Sequence, residues 1–484
     1  EADGNFTVRP LTKEFDDKNF WQDRKVGDET TSPPPTFVGK KIRDSFFYQN
    51  RLGFLSDDTV VLSQAGDYFN FFQGSAIAIS DADPIDLSTS TTRPAKLKAA
   101  IGTPAGLLMF AENSQFLMKS EDVVFGPATV KIDEISNFAY QSNIHPVETG
   151  VSILFTTESS TYSKVFELAT ESLNSRPQVT DNTRIVPELV PPGLTHITSV
   201  PNQSLVLFGT GDNILYVFKF FNSGNERQLA GWATWEMSSQ IKMAAFDHDT
   251  GYFIGHNGSH TVLSKLEIQD DPETSPITAL GSKFQPRIDN WVEDSATTIV
   301  EQATGDLVIT LPDGMVSDGQ YVYLTATYQG SETFYLSSLP ALDSNNNYSF
   351  TVTNRLKDFD FIVGVRYDMS VELPSFYVKE ESKADRRNPP MVENAYINVF
   401  MSGRYDCEVS QKGYPTRSIP LEMVTADIYA ADSPSMQEDG IRAIGVYGRG
   451  DLCRLVIKAE GPLPAALTSY SWEGHYSTRG IARR

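Results

Sequence analysis

Cysteine is scarce: Cys407 and Cys453 are the only two in 484 residues. Two thiols cannot build a secretory disulfide framework, and no Cys-x-x-Cys pair is present to hold zinc or run redox chemistry. Both lie late in the chain and are read as reduced thiols. No apolar run approaches the roughly 18 residues of a membrane span, and the N-terminus lacks the charged-then-apolar pattern of a signal peptide. The chain begins at Glu1 rather than Met and reads as a processed or partial product. Basic residues are in the minority, 40 Lys and Arg against 62 Asp and Glu, for a formal charge of −22. Wrapping nucleic acid requires clustered Lys and Arg. This surface instead repels polyanions and favours solubility. Sequence signatures of familiar hydrolases are absent too, with no Gly-x-Ser-x-Gly elbow and no His-Glu-x-x-His.

What is present is a repeated layout of apolar stretch, short polar turn, apolar stretch. It occurs at 51–63 (RLGFLSDDTVVLS) and 106–118 (GLLMFAENSQFLM), then from Ser152, Ser204 and Gly251. The flanks are β-branched and aromatic and the connections are Asp, Asn, Ser or Gly clusters, which marks each copy as a β-hairpin. Hairpins recurring every ~40–50 residues have the spacing of propeller blades, each a four-stranded sheet. A pair of sandwiches is the alternative all-β arrangement. Further strands are expected at 129–132, 195–200 and 241–246. Helical solenoids are excluded, because no apolar stripe of period 3.6 is sustained.

The chain therefore divides into an extended polar segment over 1–35, ending in Ser32-Pro33-Pro34-Pro35, a β-propeller over 36–288, and a C-terminal all-β region over 289–484. In the last region the spacing is lost, but 320–328, 348–353, 361–367, 395–400 and 453–457 still read as strands.

Candidate chemistry is thin. Asp81, Asp83 and Asp86 could offer oxygens to a hard cation, but they lack the Gly and late Glu of a calcium loop and read better as a capped turn. His248, His256 and His260 fall close together in sequence, yet they flank a hairpin and read as solvent-facing rather than as zinc ligands. Gly209 to Asn213 is followed by strand residues, so it is a turn and not a phosphate cradle. Trp232 and Trp235 have core packing as the default and sugar stacking as the alternative. Acidic residues are spread along the chain, and the separation of a glycosidase pair is set in three dimensions. The residues assign no catalytic, metal or cofactor site.

Taken in order, several segments carry a resemblance: 35–39 (PTFVG), 47–56 (FYQNRLGFLS), 62–72 (LSQAGDYFNFF), 81–86 (DADPID), 230–236 (AGWATWE), 361–367 (FIVGVRY), 462–464 (PLP), 472–476 (WEGHY) and Arg479. The succession resembles the tail tubular protein B family, the tail nozzle of T7-like short-tailed bacteriophages. The resemblance implies a structural virion protein with no catalytic residues and no cofactor. It implies a homohexameric ring below the tail adaptor (tail tubular protein A), with tail fibres at the junction and the host cell surface at the tip. Double-stranded DNA would pass through the ring. Family members usually carry a long region before the part resembled here. Arg51 and Asp67 are expected to serve turns and blade-to-blade hydrogen bonds. A propeller-type tail adhesin for host glycans and a tail-associated polysaccharide depolymerase are the competing functional readings. An acidic channel wall is expected from the charge.

Overall fold

The computed structural model describes residues 10–14, 19–90, 94–120, 122–150, 152–169, 178–223, 226–256, 260–268, 278–279, 282–283, 286–328, 332–343, 347–352, 360–380, 383–385, 388–421 and 437–476. Among them there is no α-helix; antiparallel sheets and two short 3₁₀ turns make up the regular structure. The chain separates into two compact units, Glu1–His256 with Thr261–Ile268, and Asn257–His260 with Gln269–Arg484.

In the first unit, consecutive strands pair with their chain neighbours. The first sheet is β1 (Ile42–Tyr48), β2 (Arg51–Ser56), β3 (Thr59–Leu62) and β4 (Ile85–Ser88). The second is β5 (Leu97–Thr103), β6 (Gly106–Ala111), β7 (Gln115–Ser120) and β8 (Val130–Ser136). The third is β9 (Val147–Glu148), β10 (Ser152–Glu158), β11 (Ser163–Ala169) and β12 (Gln178–Asp181). The fourth is β13 (His196–Val200), β14 (Leu205–Gly209), β15 (Ile214–Ser223) and β16 (Glu226–Glu236). The fifth has three strands, β17 (Gln240–Asp247), β18 (Thr250–His256) and β19 (Thr261–Glu267). All five expected hairpins are the β2–β3, β6–β7, β10–β11, β14–β15 and β18–β19 pairs. Local chemistry sets the turns. Gln49 and Asn50 between β1 and β2 both take positive φ (48° and 56°), the twist that suits a two-residue hairpin.

The central hairpins of the first four sheets are largely apolar because they are buried on both faces. Leu107, Met109 and Ala111 of β6 pack with Leu55, Val60 and Leu62 of the first sheet. The alternate residues Leu108 and Phe110 pack with Ile153, Phe155 and Phe166 of the third. Leu154 and Val165 then meet Val206, Phe208 and Phe218 of the fourth. Leu205, Leu207 and Val217 meet Ile241 and Phe253 of the fifth. Period-2 alternation thus sends successive side chains into two different cores. The sheets follow one another face to face in chain order. The first sheet's other face is covered by an aromatic cluster in which Trp21 and Phe37 lie against Phe54 and Phe71. The fifth sheet's other face exposes Met243, Ile254 and Leu263, which sit opposite one another across its three strands.

The antiparallel meander also gives the unit two chemically different ends. At one, the second-to-third strand turns meet the sheet-to-sheet crossovers: Leu97 N donates to Asp57 O, Tyr140 N to Glu112 O, and Ile241 N to Asp212 O. At the other lie the first-to-second turns and the third-to-fourth connections. Gly126, before β8, lies there against Asp81, before β4, where an added Cβ would be 3.1 Å from Asp81 Cα.

Among the described residues, the second unit holds two sheet pairs, each with its own core, and two short two-stranded ladders, Thr278–Ala279 with Ser282–Lys283 and Val378–Glu380 with Lys383–Asp385. In the first, Ile288–Glu293, Asp360–Arg366, Val322–Tyr328 and Glu332–Ser338 form one sheet. Thr298–Glu301, Leu307–Thr310, Tyr348–Val352 and Ala341–Leu342 form the other. Ile309, Leu324, Phe350 and Val363 fill the space between them. In the second, Met369–Glu372, Cys453–Ala459, Tyr405–Gln411 and Arg417–Leu421 face Gln437–Arg449, Met391–Ser402 and Ala466–His475. Ile397, Tyr405, Ile444 and Ile457 lie between those sheets. Arg287 ties the pairs together by donating to the carbonyls of Ala459, Gly461 and Leu463. Cys407 and Cys453 are buried free thiols on adjacent strands. Cys407 sits opposite Ile457 and Cys453 opposite Gln411. The two are therefore about 13 Å apart along the ladder, beyond the ~7 Å limit for a disulfide.

Double-sided burial makes a graded prediction. Phe110→Ala empties a site that contacts Tyr140 and Phe155 and is expected to cost about 3–5 kcal/mol. Leu263→Ala, on the exposed face, should stay within about 0.5 kcal/mol. Equilibrium denaturant unfolding of the two variants measures both, and equal losses would contradict the placement of these side chains.

Candidate functional surfaces

Among the described residues the most heavily buried charge is Arg51, at 1% exposure. It starts β2 and points into the long connection between β3 and β4. Its Nη1 donates to the carbonyls of Ser63 and Asp83, both at 2.7 Å, and Nη2 donates to Asp81 O at 2.6 Å. Burial pulls its pKa down, and the Asp83 charge opposes the shift. Among the described residues no carboxylate oxygen hydrogen-bonds it; carbonyl dipoles satisfy the guanidinium, whose fork suits several acceptors at once. Asp83 works from the other side, accepting from Gly74 N at 3.0 Å and Ser80 N at 2.8 Å. Asp86 accepts from Thr36 N and Thr36 Oγ1 at 2.9 and 2.7 Å, and Asp67 accepts from Gln22 Nε2 at 2.6 Å. The aspartates considered for a cation are therefore spent on capping or left at the surface. Arg51 thus serves a loop turn as expected, but among the described residues its bonds run to the first sheet and its own loop rather than to the next sheet, because the loop supplies enough acceptors.

Between sheets the polar ties are carried by residues that sequence reasoning did not single out. Glu167 of β11 and Arg227 of β16 form a bidentate pair, both N–H···O contacts at 2.7 Å. Ser152 Oγ and Asn182 Nδ2 also donate to Glu167, at 2.6 and 2.8 Å. The guanidinium carbon lies 4.8 Å from the Phe220 ring centroid. Burial pushes the Glu167 pKa up, but the bonds from Arg227, Ser152 and Asn182 outweigh it, and the net shift is down. A second tie joins His145 Nε2 to Asp44 Oδ2 at 3.2 Å, and that oxygen also accepts from Ala100 N at 2.8 Å. The hydrogen bond to Asp44 holds the His145 pKa above its ordinary value. One signal was available: an ionisable residue inside an apolar strand, as in VFEL at 165–168, must have a partner.

The remaining candidates separate in space. His248 lies in the turn before β18 and His256 at the far end of that strand, and His248 pairs with Asp247 at 2.8 Å. Among the described residues, no three His, Cys, Asp or Glu side chains come together as metal ligands would. Gly209 to Asn213 forms the β14–β15 turn. Trp232 and Trp235 point to opposite faces of the fourth sheet: Trp232 joins the core shared with the third sheet and donates Nε1–H to Asn182 O, while Trp235 joins the core shared with the fifth. They cannot form one stacking platform. No described helix is long and apolar enough to cross a membrane.

These features define an all-β chain whose buried charges hold its sheets and loops in place. The chain belongs to the bacteriophage nozzle protein family, whose model matches residues 1–483. It is 23% identical over 503 residues to the tail tubular protein gp12 of Escherichia phage T7, covering 99% of this chain and 60% of that protein. The chain thus spans about 60% of the length of that curated relative. Among solved structures, it is similar to Kluyveromyces lactis Hsv2p with a TM-score of 0.30 and 11% identity, covering 65% of this chain and 84% of that one. It is similar to the Neurospora crassa Pan2 WD40 domain with a TM-score of 0.28 and 9% identity, covering 68% and 91%.

The Glu167 pair predicts a pH effect of defined sign. Because the folded pKa is lowered, its stabilisation is complete above the unfolded value of ~4.3 and is lost as pH falls through the lower folded value. Arg227→Ala leaves the carboxylate buried without its partner and should cost about 3–5 kcal/mol near neutrality. That cost should shrink between pH ~5 and ~3 as the carboxylate protonates. Thermal unfolding across this range tests it, and a pH-independent cost would exclude the pair as its source.

Proposed function

We propose that this chain is a structural, non-enzymatic subunit of a bacteriophage tail nozzle, with a β-propeller over 36–288 and a C-terminal all-β nozzle region over 289–484. The observation that carries the reading is the run of five consecutive meander sheets stacked face to face in chain order, in a chain of the nozzle family. Radially repeated sheets are the propeller's solution to exposed edges. Buried charges such as Arg51 and Glu167 have internal partners, which suits rigidity better than turnover. On the family resemblance, six copies close into a ring beneath the tail adaptor, carry fibres at that junction and meet the host surface at the tip. A head-to-tail contact that closes by rotation is the symmetry such a ring requires.

Charge gives the ring a transit role. Each copy carries −22, and duplex DNA bears one negative charge per ~1.7 Å of axis. A largely acidic bore would keep the duplex off the wall over about one Debye length, ~8 Å at physiological salt. The glycan-binding alternative has less support, since Trp232 and Trp235 are turned into separate cores.

Electron microscopy of intact virions tests the assembly: a coaxial six-fold ring at the tail is expected, and another copy number sinks it. The bore is tested by replacing several of its acids with Lys once the ring is mapped. DNA release should slow, most at low ionic strength; unchanged release at low salt removes the electrostatic role.

A further inference from the structure

The end of the first unit that carries the third-to-fourth strand connections exposes a group of apolar side chains. Ile77 and Val123 are fully exposed, and Phe47, Tyr68, Ile79 and Val124 are largely or partly so. They come from the first two sheets, whose loops meet where Gly126 lies against Asp81. Phe47 and Tyr68 form an edge-to-face pair at 5.4 Å. Both loops already satisfy much of their own backbone. Ile77 N and Ala78 N donate to Ser75 Oγ, and Gly74 N and Ser80 N donate to Asp83. Val124 O accepts from Ser120 Oγ and Thr129 Oγ1. Arg51 holds the base of the first loop through the carbonyls of Asp81 and Asp83. These tips can therefore leave water without stranding those polar groups, and little ordering remains to be done on contact.

Charge around the tips narrows the occupant. Residues 73–83 and 121–129 contain no Lys, Arg or Trp, the side chains that anchor proteins at lipid headgroups. Asp81 and Asp122 are exposed beside the aliphatic tips. Against lipid phosphates, or against the same face of a second copy, these carboxylates would meet negative charge. A surface with an apolar patch and a basic rim matches both features.

We propose that this end of the first unit docks onto a different protein of the same tail, one presenting an apolar patch rimmed by Lys or Arg. The inference rests on the tail-subunit reading above. The test uses intact virions carrying a benzoylphenylalanine crosslinker at position 77, 123 or 185. Ile185, exposed at the opposite end, is the control. Irradiation should join positions 77 and 123, and not 185, to one other virion protein, through a peptide containing apolar residues and Lys or Arg. An adduct of two copies of this chain, an acidic partner peptide, or no yield above the control would overturn the proposal. Absence of the chain from purified virions would instead overturn the tail reading and the proposal with it. In a parallel arm, flotation of wild-type protein with phosphatidylcholine vesicles, lost on combining Ile77→Ser and Ile79→Ser, would assign the surface to lipid and overturn it. With the identified partner purified, the same double substitution should weaken binding about tenfold or more at unchanged thermal stability. Asp122→Lys should weaken it too, and unaltered affinity in both variants would contradict the docking face.

Discussion

Most of the first unit depends on one requirement: its central strands must find apolar partners on both faces. A strand such as β6 has side chains buried in two cores at once, so its sheet gains little by folding alone. The second, third and fourth sheets are each stabilised by the one before and the one after, and the stacking order follows the chain. The two ion pairs between sheets lie where this apolar contact ends. The Glu167–Arg227 pair lies where the long β15–β16 hairpin extends past β14 and reaches back toward the third sheet. His145–Asp44 links the connection before the third sheet to the first strand of the first.

Those same continuous apolar runs made the first unit legible in sequence. The hairpins beginning near 51, 106, 152, 204 and 251 all form, and the strands expected near 129, 195 and 241 are β8, β13 and β17. What escaped notice was short or edge-lying. β9 has two residues, and β4 and β12 have four each; such strands bury too little to leave a pattern. In the second unit the strands at 322–328, 348–352, 360–366, 391–402 and 453–459 were visible, but the two separate cores were not. Their sheets join residues distant in the chain, such as Met369 with Ala459 and Ile288 with Arg366. No local spacing encodes such pairings.

For individual residues, legibility followed the same division. Local roles were readable: the capped turn around Asp83 and the turn at Gly209–Asn213 follow from their neighbours in sequence. Roles created by distant contact were not. Arg51 was noticed, but its partners are loop carbonyls some thirty residues away. Trp232 and Trp235 are three residues apart, an odd number, and strand geometry alone sends them to opposite faces.

The two thiols have a consequence for the covalent chemistry of this chain. Cys407 is buried, and that burial pushes its pKa up to about 12, so the reactive thiolate is scarce near neutrality. Cys453 shifts in the same direction for the same first cause. Too far apart to join and too protonated to react readily, they leave the covalent structure of this chain the same in oxidising and reducing surroundings.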